Sequence, residues 1–364
     1  MNLLEEARKE INEADAEMAR LFEKRMRAAE KVAAYKKENA LPILDKEREA
    51  EILRRGALRI EDETLRAYYL RFMESNMAIS RAYQARLLEG MTVAYAGTEG
   101  AFAHIATCKL FPDARKIAYP SFEKAYRAVE RGECDACVLP IENSTGGEVG
   151  EVSDLLFAGS LYANASLELA VSHDLLVHPS TSKERIKTVI SHPQALSQCA
   201  DYIAQQGYEV KEFSNTALAA KWVMENADPT VAAIASAEAA SLFGLKVLEK
   251  NINQSRNNTT KFLALSRVLH EHKTGEGGLH SILTFTVRNE AGALARAIDI
   301  IGRNGFNMQT LRSRPMKQLL WQYYFLVEAE GDMTSHEGEA MLRALSVYCD
   351  RLKVIGTYRK TETE

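Results

Sequence analysis

Apolar residues near the start of the chain recur every three or four positions, placing Ile11, Ala14, Met18, Leu21, Phe22, Ala28 and Ala29 on one helical face. Neither Gly nor Pro interrupts the pattern between Leu3 and Glu38, so it predicts one long helix ended by Pro42. Asp45 is placed to cap a second helix, and Asp62 or Thr64 a third. A 36-residue helix spans roughly 54 Å, more than two shorter helices can cover along its whole apolar face. A second copy of the segment over that face is therefore expected, making the chain a homodimer or higher homo-oligomer; a helix that breaks or frays is the plain alternative.

After Gly90 the pattern changes. Short β-rich runs such as TVAYA (92–96) and ACVLPI (136–141) alternate with helical stretches such as FEKAYRAVERG (122–132), which predicts an α/β domain with much parallel sheet. The stretch from His270 to Gly278 reads as a linker. Beyond it the order is strand (281–287), helix (292–303), strand (306–313), strand (321–328), helix (335–345), strand (352–358), a ferredoxin-like βαββαβ sequence. Domains are thus expected at 1–90 (all-helical), 91–268 (α/β) and 279–358 (ferredoxin-like).

Composition narrows the function classes. Up to Gly90, 18 Lys and Arg balance 18 Asp and Glu with a single proline, as suits helices. Over all 364 residues the net charge is only -4, so nothing argues for nucleic acid or an anionic membrane surface as partner. No apolar run approaches the roughly 20 residues of a membrane helix. No charged n-region and apolar h-region open the chain, and its cysteines (Cys108, Cys134, Cys137, Cys199, Cys349) are an odd set. A reducing, cytoplasmic setting with free thiols is expected. Cys134 and Cys137 have CxxC spacing without the second ligand pair of a zinc site, so packing is expected of them and no metal.

Candidate chemistry sits in each segment. Arg25 and Lys36, 11 residues apart, return to within about 20° of one helix face and are separated by roughly 16 Å along the axis, so their side chains can converge on one small anion. Arg8 lies roughly 42 Å from Lys36 on the same helix, so a pocket using both draws on two chains. Singly, each base reads as a solvated helix charge; their joint spacing points to a site. In the middle segment, VAYAGTEGAFAHIA (93–106), LPIENSTGGEVGEVSDLL (139–156), ISHPQALSQC (190–199), SNTALAA (214–220) and AIAS (233–236) each run a strand or loop into small polar residues. Each alone is a capped helix or turn; five in one domain favour a ligand cleft at strand ends. Gly97 and Gly100 lack dinucleotide spacing, and no cofactor is called for.

The run ARKEINEAD (7–15), Arg25, Lys36, PILDKEREAE (42–51), and Ser80 with Gln84 resemble the all-helical chorismate mutase domain over essentially 1–90. That resemblance implies a pericyclic rearrangement without nucleophile or metal. Arg8 from the partner chain, Arg25 and Arg48 would hold the carboxylates, Lys36 and Gln84 would bond the breaking ether oxygen, and Asp45, Glu49 and Ser80 would orient these groups or the substrate hydroxyl. The five middle motifs with NNTTKFLAL (257–265) resemble prephenate dehydratase over about 91–268. This implies two α/β lobes like type II solute-binding proteins, with Thr260 catalytic and Glu142, Asn143, Ser144, His192, Gln194, Ser214, Thr216, Thr260 and Lys261 as substrate ligands. Lys261 stands where that family usually has Arg. HSILTFTVRNEAGALARAIDIIGRNGFNMQTLRSRP (280–315) resembles an ACT regulatory domain, which implies phenylalanine as effector at Gly292, Ala293, Leu294 and Asn307. Ala291 and Arg312 stand where that family usually has Pro and Glu, and Arg312 is expected beside the effector site.

Together the resemblances imply a bifunctional enzyme of phenylalanine biosynthesis that carries chorismate through prephenate to phenylpyruvate. Two rivals remain at this level: a solute-binding protein built on the two-lobed fold, and an enzyme with one inactive module or with arogenate as the dehydratase substrate.

Overall fold

The computed structural model describes residues 2–255, 257–270, 278–316 and 322–362; the expected linker falls, from 271 to 277, outside the described residues. The chain divides into two compact units, Met1–Thr92 and Val93–Glu364.

The first unit is helical: α1 (Leu3–Glu38), α2 (Lys46–Ala57) and α3 (Glu63–Glu89). α1 is continuous and starts in a capping box, in which Asn2 Oδ1 accepts from the Glu5 N–H (2.9 Å) and Glu5 Oε2 accepts from the Asn2 N–H (3.0 Å). It ends at Asn39, before the expected stop at Pro42, because Ala40 turns the chain with φ at 51°. Asp45 caps α2 by accepting from the Arg48 N–H (2.9 Å), and Asp62 caps α3 by accepting from the Thr64 N–H (2.8 Å). On α1 the buried residues are Met26, Ala29 and Ala33, all in its second half. Its first half leaves apolar side chains exposed, Leu4 at 56% and Ile11 at 58%.

In the second unit the elements are β1 (Thr92–Ala96), α4 (Phe102–Leu110), β2 (Arg115–Tyr119), α5 (Phe122–Glu130), β3 (Ala136–Asn143), β4 (Gly147–Glu148), α6 (Gly150–Ala158), β5 (Tyr162–Ala170), β6 (Asp174–Val177), β7 (Thr188–Ser191), α7 (Pro193–Gln198), α8 (Ala200–Gln206), β8 (Glu209–Glu212), α9 (Thr216–Asn226), β9 (Val231–Ala235), α10 (Ala237–Phe243), β10 (Lys246–Glu249) and β11 (Thr259–Ser266). A C-terminal module follows: β12 (Leu279–Val287), α11 (Ala293–Arg303), β13 (Met308–Pro315), β14 (Tyr323–Glu330), α12 (His336–Ser346) and β15 (Cys349–Glu362). The chain leaves the first sheet after β5, builds a second sheet in the order β10–β6–β9–β7–β8, and returns as β11 between β5 and β3. This return strand is antiparallel to both neighbours, and β6 is antiparallel to β9 and β10, so the sheets mix antiparallel pairs with the expected parallel ones. Parallel pairing is kept at β1–β3, β7–β8 and β7–β9.

The C-terminal module has the ferredoxin-like order β13–β14–β12–β15. β15 outruns its expected span, and its end, Lys360–Glu362, pairs in parallel with β5, joining the module to the first sheet. Gly356 permits that approach: a Cβ there would sit 1.9 Å from the Ala163 carbonyl oxygen. One apolar core combines Leu139, Leu156, Leu161 and Leu263 with Ile282, Leu326, Ile355 and Tyr358 of the module. Cys134 and Cys137 are buried in that same core, as packing residues. No described helix is long and apolar enough to cross a membrane.

Candidate active sites

In the helical unit, the periodicity that buries one face of each helix also aims polar residues at a shared cavity of about 350 Å³. Arg25 and Lys36 reach it from α1, Asp45, Arg48 and Glu49 from the first turn of α2, and Ser80 and Gln84, one turn apart, from α3. Val32, Ile52 and Met77 supply apolar wall. Arg81, which the sequence reading missed, also lines the cavity and pairs with Glu49. Asp45 is occupied with its cap, and Glu51 outside the cavity lies 2.5 Å from Arg48 Nη1. Arg25 Nη1 donates to the Asn76 carbonyl (3.3 Å), and Lys36 Nζ donates to the Ile43 carbonyl. Burial holds the Arg25 guanidinium below its ordinary value, a cost that an anion in the cavity would offset. Gln84 is 7% exposed; its Nε2 donates to the Ser80 carbonyl (3.3 Å) while its Oε1 is buried without a partner. Arg8 does not line this cavity; it is exposed near the other end of α1.

In the second unit a cavity of about 550 Å³ lies against the C-terminal ends of β1 and β3, the start of β11 and the N-terminal turns of α7 and α9. Asn143, His192, Gln194, Ser214, Thr216 and Thr260 all line it, as do Phe102, Phe122 and Phe262. Among the described lining residues none is Lys or Arg. Asn143 is the organiser. Its Nδ2 donates to Thr260 Oγ1 (2.9 Å) and Asn258 Oδ1 (2.8 Å), and its Oδ1 accepts from the Gly146 N–H (2.7 Å). Because Thr260 Oγ1 already accepts from Asn143, its own O–H is left to donate elsewhere. His192 caps α7: its Nδ1 accepts from the Gln194 N–H (3.2 Å), which leaves the proton on Nε2.

The polar chain extends to residues the sequence reading did not single out. Asn258 Nδ2 donates to Gln198 Oε1 (3.2 Å), which also accepts from His173 Nε2 (2.9 Å). His173 is 2% exposed, and its Nδ1 is buried without a partner. Burial lowers its pKa, outweighing Gln198 and Asp174, so the ring is neutral. Asn258 and Gln198 lay inside quoted motifs; for His173 the sequence offers no signal, because it joins the cleft only through the β5–β6 turn.

Three expected ligands are not in this cavity. Ser144 Oγ donates to the Asn257 carbonyl (2.8 Å) and accepts from the Thr259 N–H (2.9 Å), tying β3 to β11. Glu142 pairs with Arg312, and the buried Lys261 lies 2.5 Å from Glu328 Oε2. Both point to the sheet's other face, because successive side chains of a strand alternate.

Among the expected effector residues, Gly292 caps α11 in the left-handed conformation (φ 81°) and Ala293 is buried. Leu294 lines a cavity of about 200 Å³ with Arg288, Glu290, Tyr323 and Asp350. Asn307 lies apart from these and donates to Glu330 Oε2 (3.1 Å). Arg312, expected beside the effector site, instead pairs with Glu142 of β3 in the first sheet.

A family model described as chorismate mutase type II matches residues 7–85, and one described as prephenate dehydratase matches residues 93–269. The bifunctional chorismate mutase/prephenate dehydratase of Neisseria gonorrhoeae is 34% identical over 361 residues, covering 96% of this chain and 95% of its own length. Among solved structures, GqqA, described as a novel type of quorum quenching acylase, is 28% identical with a TM-score of 0.68, over 74% of this chain and 98% of its own. The prephenate dehydratase of Arthrobacter aurescens in complex with L-Phe is 27% identical with a TM-score of 0.68, over 74% of this chain and 90% of its own. With two family models side by side along it and a relative matched almost end to end, this chain belongs to the family of bifunctional chorismate mutase/prephenate dehydratases.

Proposed function

We propose that the helical cavity rearranges chorismate to prephenate and that the cleft converts prephenate to phenylpyruvate. In the first step an ether C–O bond breaks as a C–C bond forms, with no atom gained or lost. Arg25 and Arg48 hold the two carboxylates, with Arg8 of a second copy completing the set, and Lys36 and Gln84 bond the ether oxygen as it gains negative charge. The exposed apolar first half of α1 supports that second copy.

In the second step the ring carboxylate leaves as carbon dioxide, its electron pair aromatises the ring, and hydroxide departs from the opposite carbon. The observation that carries this reading is the Asn143–Thr260 hydrogen bond, which turns the Thr260 O–H outward as a donor to the leaving hydroxyl. A threonine hydroxyl is too weak an acid to deliver the proton at neutral pH. Thr260 therefore steadies the departing oxygen, while the Nε2–H of His192 is a second donor. Gln194, Ser214 and Thr216 bind the substrate's carboxylates through neutral donors. Measuring prephenate consumption by wild-type and Thr260→Ala protein tests the assignment, which predicts a loss of about 100-fold; unchanged turnover would refute it.

The two sheets around the cleft support a two-lobed fold of the type II solute-binding kind. The βαββαβ module, the likeness to an L-Phe complex, and the Leu294 cavity support an ACT domain that binds phenylalanine. The free thiols support a reducing, cytoplasmic setting. Dehydratase rates with and without phenylalanine test the effector; no change at saturating concentration would remove that role.

A further inference from the structure

β3 and β11 carry polar pairs on both faces of the sheet. Thr260 stands opposite Asn143 in the ladder, and in the next pair Lys261 stands opposite Glu142. The first pair lines the cleft; the second faces the C-terminal module. There each charge meets a counter-charge from that module, Glu142 from Arg312 on β13 and Lys261 from Glu328 on β14. Glu328 is 5% exposed at its side chain and Lys261 9%, and Glu328 also accepts from the Tyr358 hydroxyl (3.1 Å). Burial raises the Glu328 carboxyl, but Lys261 and Lys360 outweigh it and hold the group below its ordinary range. Two of the three departures from the family patterns, Lys261 and Arg312, thus fall in one quartet of charges.

Stability does not account for this arrangement, because apolar residues of similar volume usually pack as well as a buried ion pair or better. What the charges supply is direction. Glu142 is one peptide bond from Asn143, and Lys261 one from Thr260. The ladder is irregular just beyond, between Lys261 and Phe262, where Pro140 and Glu142 flank the extra residue Ile141. A strand at a bulge bends more readily than a regular one, so a pull on Glu142 or Lys261 reaches the cleft pair. If the module shifts, Glu142 and Lys261 are already opposite each other and can pair across the ladder, which gives the quartet two discrete arrangements. A third link runs beside it. Arg314 pairs with Asp154 (2.9 Å) and lies 3.6 Å from Glu148 at the cleft rim, its guanidinium packed over Gly150, where a Cβ would make it shift.

We propose that Arg312 and Glu328 are positioning residues for the dehydratase reaction: by gripping Glu142 and Lys261 from behind the sheet, they set Asn143 and Thr260 for catalysis. This rests on the cleft being the dehydratase site. The C-terminal module thereby acts on turnover through ion pairs rather than by reaching the substrate.

The test measures dehydratase and mutase rates in the same preparations of full-length protein. Arg312→Ala is expected to lower dehydratase kcat about tenfold while KM for prephenate stays within about twofold and the mutase rate is unchanged. Arg312→Lys should recover most of the loss. Arg312→Glu should lose activity that the swapped pair Glu142→Arg with Arg312→Glu regains. Should Arg312→Ala fail to fold, Lys261→Met with Glu328→Met, an apolar replacement of the buried pair, reads the same effect in a packed interior. Wild-type kcat in Arg312→Ala or in the double Met variant overturns the proposal, as does a swapped pair no better than Arg312→Glu alone. Wild-type protein without dehydratase activity would instead overturn the reading of the cleft.

Discussion

On the proposed assignment, the two cavities hold closely related dianions by opposite means. The helical cavity is cationic, with Arg25, Lys36, Arg48 and Arg81 converging from three helices, whereas the described lining of the cleft has neither Lys nor Arg and offers amides, hydroxyls and His rings beside the carboxylate of Glu148. The difference follows from the backbone available. Long side chains on straight helices reach a common point from 16 Å apart along an axis. Strand ends and helix N-termini already present N–H groups to an anion, so short neutral side chains suffice there. Two cations of the sheet region, Arg312 and Lys261, are spent behind the cleft, on Glu142 and Glu328.

That contrast can be broken most severely at Lys36. Lys36→Met should lower mutase kcat/KM by about 100-fold or more and leave the dehydratase rate unchanged, as read from chorismate and prephenate consumption in parallel. The shared-pocket feature has a separate test: a mixture of inactive Arg8→Ala and Lys36→Ala chains should regain mutase activity through hybrid sites. No recovery despite demonstrated subunit exchange would place Arg8 outside the pocket.

A smaller effect is expected on folding. Gly356→Ala forces a Cβ against the Ala163 carbonyl and should destabilise the sheet by about 3 kcal/mol, seen as a lower melting temperature. Salt should separate the sites by a few-fold. Raising ionic strength from about 50 to about 500 mM should increase KM for chorismate about threefold and KM for prephenate less, because screening weakens exposed cations most. Equal salt sensitivity would contradict binding in a cleft whose described lining has neither Lys nor Arg.

The smallest effect is in pH. The helical unit contains no histidine, whereas burial lowers the pKa of His173 and of His104 in the sheet unit. In the unfolded chain these rings take up a proton near the ordinary value of about 6.5, while the folded protein resists it. Their contribution to stability is therefore present above that value and lost as pH falls below it toward the folded pKa values. Thermal melts across that range should show dehydratase failing at lower temperature as pH falls, and His173→Gln should flatten part of the slope.

Helical features were the most legible in the sequence. Periodicity located α1, and Asp45 and Asp62 were recognisable caps, while the cavity residues of α2 and α3 came from the resemblance to the chorismate mutase domain. The cleft was legible only in part, because motifs show which residues are neighbours in the chain and not which face they share. Asn143 and Thr260 were found, yet their chain neighbours Glu142 and Lys261 were assigned to the same site although strand alternation sends them behind the sheet. His173 was missed because the fold alone brings it to Gln198. Arg312 was misplaced for a similar reason: its partner, Glu142, lies 170 residues earlier in the chain.

The central claim is that one chain carries two separate sites acting in sequence. A single time course of chorismate, prephenate and phenylpyruvate with Thr260→Ala protein beside wild type tests it most directly. The account predicts that wild type converts chorismate to phenylpyruvate, and that the variant consumes chorismate at the wild-type rate but stalls at prephenate. Phenylpyruvate formed at the wild-type rate by the variant would contradict it.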